Sequence, residues 1–189
     1  MKITHEFTVS RPLSTVWDFF QDVPEVAKCL PGAELTSVND DGTFSGRVAV
    51  KLGPMSASFD GKAAVSVDAA THTGTIDGSG ADRRGGSRGQ VKVAYALLPE
   101  GSGTKVTIDA DVILSGAAAQ FGRGGLVHEM SNRLIGEFVG CVEGKLAAAT
   151  PEEAARHSAG EVHGFSLFWV SLVAWLKRLF SRKPSASAR

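Results

Sequence analysis

The chain has 189 residues, 43% of them hydrophobic and 21% charged, with 22 Gly and 2 Cys. This excludes a disordered chain, a collagen-like repeat, a disulfide framework and a multi-spanning membrane protein, because no apolar run reaches the ~18 residues of a span. The zero net charge hides an asymmetry: residues 165–189 hold Lys177, Arg178, Arg182, Lys183 and Arg189 and no acid, so the tail is +5 and the remainder −5. An acidic body argues against a nucleic-acid partner, and a basic tail predicts attraction to an anionic membrane.

Ile3, His5, Phe7 and Val9 alternate with Lys2, Thr4, Glu6 and Thr8, which predicts a first strand. No continuous apolar stretch opens the chain, so a cytoplasmic body is expected, with Cys29 and Cys141 as reduced, buried thiols. Ser14 is the expected cap of a short helix carrying Val16, Trp17, Phe19 and Phe20. Pro24 sits early in a second short helix, which Pro31-Gly32 ends.

Six strands are predicted next, over 33–39, 43–52, 55–68, 72–82, 86–98 and 104–114. Short turn-forming segments such as Asn39-Asp40-Asp41-Gly42 and Gly101-Ser102-Gly103 separate them, as hairpins require. In the last strand, Val106, Ile108, Ala110, Val112 and Leu114 oppose Lys105, Thr107, Asp109 and Asp111, so one sheet face is dry and the other wet. Residues 117–149 then read as one long helix, with Val127, Met130, Leu134, Phe138 and Cys141 on one stripe. A sheet with one dry face and a single long helix must bury the two against each other. The expected architecture is α+β, a curved antiparallel sheet around a long helix. Residues 1–149 form the domain, 150–164 a polar linker, 165–183 an apolar and basic segment, and 184–189 a loose end.

Catalytic and metal motifs are absent. His128-Glu129 begins like a zinc-protease helix, but Asn132 stands where the second His must be. The glycines between 78 and 89 lie between two strands, with no helix N-terminus to hold a phosphate. They read instead as bends or bulges. Gly136, Gly140 and Gly144 recur at four in the long helix, and either pack closely on the sheet or leave room, with close packing the expected outcome. Gly46, Ala57, Gly61, Ala63, Gly78 and Gly80 fall on the dry face of the sheet. Small groups on both walls, mixed with Phe44, Met55, Phe59, Tyr95 and Phe138, suit either a packed core or an apolar pocket.

Several motifs match a known family. They are Cys29-Leu30-Pro31-Gly32-Ala33, Leu52-Gly53-Pro54, Gly116-Ala117-Ala118-Ala119-Gln120-Phe121-Gly122-Arg123 and Phe138-Val139-Gly140-Cys141. On these, residues 1–148 resemble the G subunit of carbon monoxide dehydrogenase, a family of the START/SRPBCC helix-grip superfamily. The resemblance implies a non-enzymatic accessory protein on the cytoplasmic face of the membrane. Its implied partner is a molybdenum hydroxylase of the carbon monoxide dehydrogenase type, whose electrons enter the quinone pool. No covalent cofactor and no metal are expected. An isoprenoid quinone such as menaquinone is the expected ligand, lined by Phe44, Val48, Phe59, Tyr95, Val127, Met130, Leu134 and Phe138. Arg123 is either a surface cation or a contact at the rim of the site. Two alternatives stay open: a ligand-free structural tether, and a polyketide cyclase or aromatase on the same fold.

The segment 165–183 is expected to be an amphipathic membrane-anchor helix. Its apolar run from Phe165 to Leu176 is about 18 Å long as a helix, against about 30 Å of hydrocarbon. At about 100° per residue, Phe165, Phe168, Trp169, Leu172, Trp175 and Leu176 share one face. Lys177, Arg178 and Arg182 lie on the other, and Lys183 follows. That arrangement suits a helix lying in the membrane interface.

Overall fold

The computed structural model describes residues 1–148, except 53, 54, 83, 85 and 123–125 and the side chains of 51, 52, 55, 120–122 and 126–128. The expectations for residues 149–189, including all of the membrane-anchor residues, and for Arg123 therefore lie outside the described residues.

Strand β1 (Lys2–Val9) leads into α1 (Leu13–Gln21) and α2 (Val23–Cys29), and six strands follow. These are β2 (Ala33–Val38), β3 (Phe44–Leu52), β4 (Met55–Asp68), β5 (Thr73–Asp82), β6 (Ser87–Glu100) and β7 (Gly103–Ser115). All pairings are antiparallel, and the strand order is β1-β7-β6-β5-β4-β3-β2. The predicted strands and their order in the chain are thus present.

Two local expectations need correction. Ser14 lies inside α1, which begins after Pro12 and has no side-chain cap. Asp22 instead caps α2, its carboxylate accepting from the Glu25 amide at 3.1 Å. The long helix is also interrupted. Residues Gly116–Gly122 form a 3-10 helix, η1, and α3 runs only from Leu126 to Ala147, about 33 Å.

Two glycines of the sheet stand where a side chain would collide with a neighbour. An added Cβ at Gly61 would lie 2.2 Å from the Ser79 carbonyl oxygen, and one at Gly74 would meet the Tyr95 ring at 2.3 Å. At Gly61 the obstacle is backbone, so only glycine fits there.

The core gathers at one end of the concave face. Val16, Trp17 and Phe20 of α1 and Phe138, Cys141 and Val142 of α3 pack with Val9, Tyr95, Leu97 and Val106 of the sheet. Phe20 sits edge-on to Phe138 at 6.2 Å and tilted against Tyr95 at 5.6 Å. Such pairs contribute about 0.5–1.5 kcal/mol each beyond area burial.

The cysteines are not free thiols. Cys29 and Cys141 form a disulfide between α2 and α3, with Cα atoms 5.4 Å apart and a sequence separation of 112. Reduced thiols are expected from the compartment alone, which carries no information about two helices brought side by side. One turn before Cys29 on α2 and one turn after Cys141 on α3, Lys145 Nζ donates to Glu25 Oε2 at 2.5 Å. Glu143 accepts from the Ser10 amide and hydroxyl at 3.2 Å, and Arg11 Nε donates to the Leu146 carbonyl at 3.2 Å. The C-terminal half of α3 is therefore pinned from two sides.

The Glu25–Lys145 pair makes stability depend on pH. Hydrogen bonds from Lys145 and then Lys28 hold the Glu25 carboxyl below its ordinary value. A lowered folded pKa contributes stability that is full above the unfolded value and is lost as pH falls through the folded one. Glu25→Gln is expected to cost about 1–2 kcal/mol at neutral pH, a figure discounted for the partial exposure of Glu25. The two proteins should converge in acid. Denaturation midpoints measured from neutral pH down into the acid range check this.

Candidate ligand-binding site

The register defines which residues share the concave face. Phe44 pairs with Ala63, Val48 with Phe59, Ala63 with Gly78 and Gly78 with Val91. On the other side Tyr95 pairs with Ile108, and Ile108 with His5. Since Phe7 shares that face of β1 and meets Phe138 of α3 edge-on at 6.2 Å, this is the face that looks at the helix.

Burial along this face is uneven. Tyr95, Leu97 and Val106 are buried at the core end. Phe59, Ala63, Ile76, Gly78, Val91, Val93, Ala110 and Val112 are only half-buried. Helix α3 lies mainly on β1, α2 and η1. The middle strands therefore carry an apolar surface that the described residues of α3 do not fully cover. The result is a groove, closed at one end by the core and floored by small residues.

Of the predicted lining, Phe44 and Phe59 lie on the half-buried floor, and Val48 is 45% exposed at its open side. Met130 and Leu134 are half-buried on α3. Tyr95 and Phe138 belong to the core and form the inner end. The side chain of Val127 lies outside the described residues.

The helix glycines need correction. An added Cβ at Gly136 or Gly140 meets nothing within 4 Å, and both residues are exposed. Neither packs on the sheet nor lines the groove.

Among the described residues, His5, Asp82, Ser87, Tyr95 and Thr104 are the polar groups on this face. Tyr95 is one, and burial pushes its hydroxyl pKa up, so it remains a neutral phenol. His5, on the edge strand β1, is another: its Nε2 is buried without a hydrogen-bond partner, alone in this among the described residues. The alternation of β1 puts His5 on the apolar face. No cluster of metal-ligating side chains occurs among the described residues. Two depressions of about 400 and 440 Å³ lie on the opposite, convex face, bordered by groups such as Ser66, Thr75, Asp109, Gln90 and Lys92. Their polar borders do not suit an apolar ligand.

Residues 6–147 match the family described as the G subunit of carbon monoxide dehydrogenase (CoxG). The chain belongs to this family. Membership associates it with carbon monoxide dehydrogenase. No curated protein shows significant similarity to it. Among solved structures, a conserved protein from Geobacillus kaustophilus superposes with a TM-score of 0.68 at 15% identity, over 78% of this chain and 95% of its own. The Zhui aromatase/cyclase from Streptomyces sp. R1128 gives 0.54 at 16% identity, over 79% of this chain and 97% of that one. A START superfamily protein from Mycobacterium smegmatis gives 0.51 at 16% identity, over 79% and 99%. At these identities the likeness establishes the START-type fold.

Proposed function

We propose that this CoxG protein is a membrane-tethered, non-catalytic accessory that carries an isoprenoid quinone in the groove between sheet and α3. It would link a molybdenum enzyme of the carbon monoxide dehydrogenase type to the quinone pool at the cytoplasmic face of the membrane. The half-buried apolar floor carries this reading. Buried apolar area is worth about 25 cal/mol per Å² against water, but little against the bilayer that a prenyl chain leaves. Binding is then a reversible exchange with the membrane. A cyclase or aromatase would need converging polar groups; of those on this face, Ser87 accepts from the Ala118 amide and Asp82 from the Arg84 amide, while Tyr95 belongs to the core and His5 to the edge strand β1.

Residues 165–183 supply the tether in this reading. The described residues contain no helix long and apolar enough to cross a membrane. Phe165, Phe168, Trp169, Leu172, Trp175 and Leu176 would enter the interface, while Lys177, Arg178, Arg182 and Lys183 each add about 1 kcal/mol on anionic lipid. Deleting residues 165–189 is expected to move the protein from the membrane to the soluble fraction. In the full chain, Trp169 and Trp175 emission should shift blue on anionic vesicles, less so at high salt. A truncated protein that still sediments with membranes contradicts the tether.

A further inference from the structure

Helix α2 has seven residues, fewer than the ~12 that an isolated helix needs in water, and Cys29 is its one buried residue. Its own side-chain burial is therefore a weak hold. Cys29 adds a covalent one through Cys141 of α3, and the Glu25–Lys145 ion pair is a further tie. Helix α3 depends less on the bond. Phe138 packs on Phe7 and Phe20, while Glu143 and the Leu146 carbonyl accept from Ser10 and Arg11. Helix α2 touches both α3 and the edge strand β2, so it fills the gap between them. The turn after α2 is fixed to the sheet. The Ala33 amide donates to the Leu30 carbonyl at 3.0 Å and the Ala49 amide to the Gly32 carbonyl at 2.8 Å, with Gly32 at a φ of +76°. Ala33 then pairs with Val48, at the open side of the groove.

We infer that the Cys29–Cys141 bond is a redox latch on α2. Closed, it holds α2 against α3; open, it lets α2 swing about the Leu30–Gly32 turn and widens the mouth of the groove beside Val48. The gating of a ligand rests on the ligand-binding reading above, whereas the release of α2 does not. In the cytoplasmic setting of that reading, disulfides are transient and redox-sensing. Lys28 adjoins Cys29, and Lys145 follows Cys141 by one helical turn, both paired with Glu25. Ammonium groups so close favour the thiolates that exchange needs. Cys141 is 8% exposed and Cys29 fully buried, so a dithiol reductant attacks the Cys141 sulfur. The S–S bond breaks and Cys29 leaves as a thiolate, taking the proton that the reductant lost. The second thiol of the reductant then displaces Cys141, which is protonated in turn. The chain gains two electrons and two protons, and the reductant leaves as a disulfide. Glutathione disulfide reverses both steps and is itself reduced to two thiols.

The test is amide hydrogen exchange of the full chain, equilibrated with glutathione disulfide or with dithiothreitol, well below the melting temperature of either state. Reduction should speed exchange of the α2 amides about tenfold or more, while β5, β6 and α3 keep their protection. The double variant Cys29→Ser with Cys141→Ser should match the reduced wild type and ignore the oxidant. In samples loaded with menaquinone, reduction should speed transfer to acceptor vesicles about tenfold. Equal protection of α2 in both states overturns the latch. So does an equal loss across α2, α3 and the sheet, which makes the bond a staple of the whole fold. If α2 loosens and transfer does not quicken, α2 is no gate and the inference fails. If the wild type takes up no menaquinone in either state, the ligand reading fails, and exchange at α2 still decides whether the bond latches the helix.

Discussion

Replacing both cysteines with serine is expected to cost about 2–5 kcal/mol of folding stability, the range found when native disulfides are removed. The bond closes a segment of 112 residues that contains β2 to β7, so its loss frees a large loop in the unfolded chain. It also removes the covalent link between α2 and α3, where the Glu25–Lys145 ion pair still joins the two helices. For a domain of this size the loss corresponds to a fall in Tm of roughly 10 °C. Dithiothreitol should lower the wild-type Tm toward that of the double variant and leave the variant unchanged. Cys29 is fully buried and Cys141 is 8% exposed, so reduction should be slow in the folded protein.

Ala63→Phe is expected to reduce menaquinone uptake by an order of magnitude or more, with Tm nearly unchanged. Ala63 lies on the groove floor, paired with Phe44 on one side and Gly78 on the other. In a filled core the added ring would cost about 1–3 kcal/mol through overpacking. In an open groove it takes the space of the ligand instead. Gly140→Leu is the control: its side chain enters open space on the outer side of α3, so uptake should match the wild type. Uptake from menaquinone-loaded vesicles, measured beside thermal melts, separates the two outcomes.

The sheet was legible because its strands alternate with period two and their hairpins contain turn residues, as in β7 and the Gly101-to-Gly103 connection. The helix α3 was legible through Met130, Leu134, Phe138 and Cys141, which recur at helical spacing. Its N-terminal limit was not, because small residues such as Ala117, Ala118 and Ala119 fit α- and 3-10-helix equally well. The helix glycines were misread although the projection held the answer. Gly136 and Gly140 are each two residues from Phe138, about 200° around the helix, so they face away from the sheet. The disulfide left no local signal, since pairing across 112 residues depends on how α2 and α3 dock. On the helix-facing side of the sheet, the inward set of β1 already contained His5. That its Nε2 has no partner among the described residues needed the structure, because this is known only once the neighbours are known.

Everything proposed for the groove turns on whether it takes up a quinone. The most direct measurement is to incubate the full chain with vesicles containing menaquinone, reisolate the protein from lipid in detergent, and quantify quinone in its solvent extract by mass spectrometry. A quinone-carrying groove predicts quinone in near-equal molar amount to the wild-type protein, and little with Ala63→Phe. A wild-type extract free of quinone, or an Ala63→Phe extract that holds as much as the wild type, would contradict it.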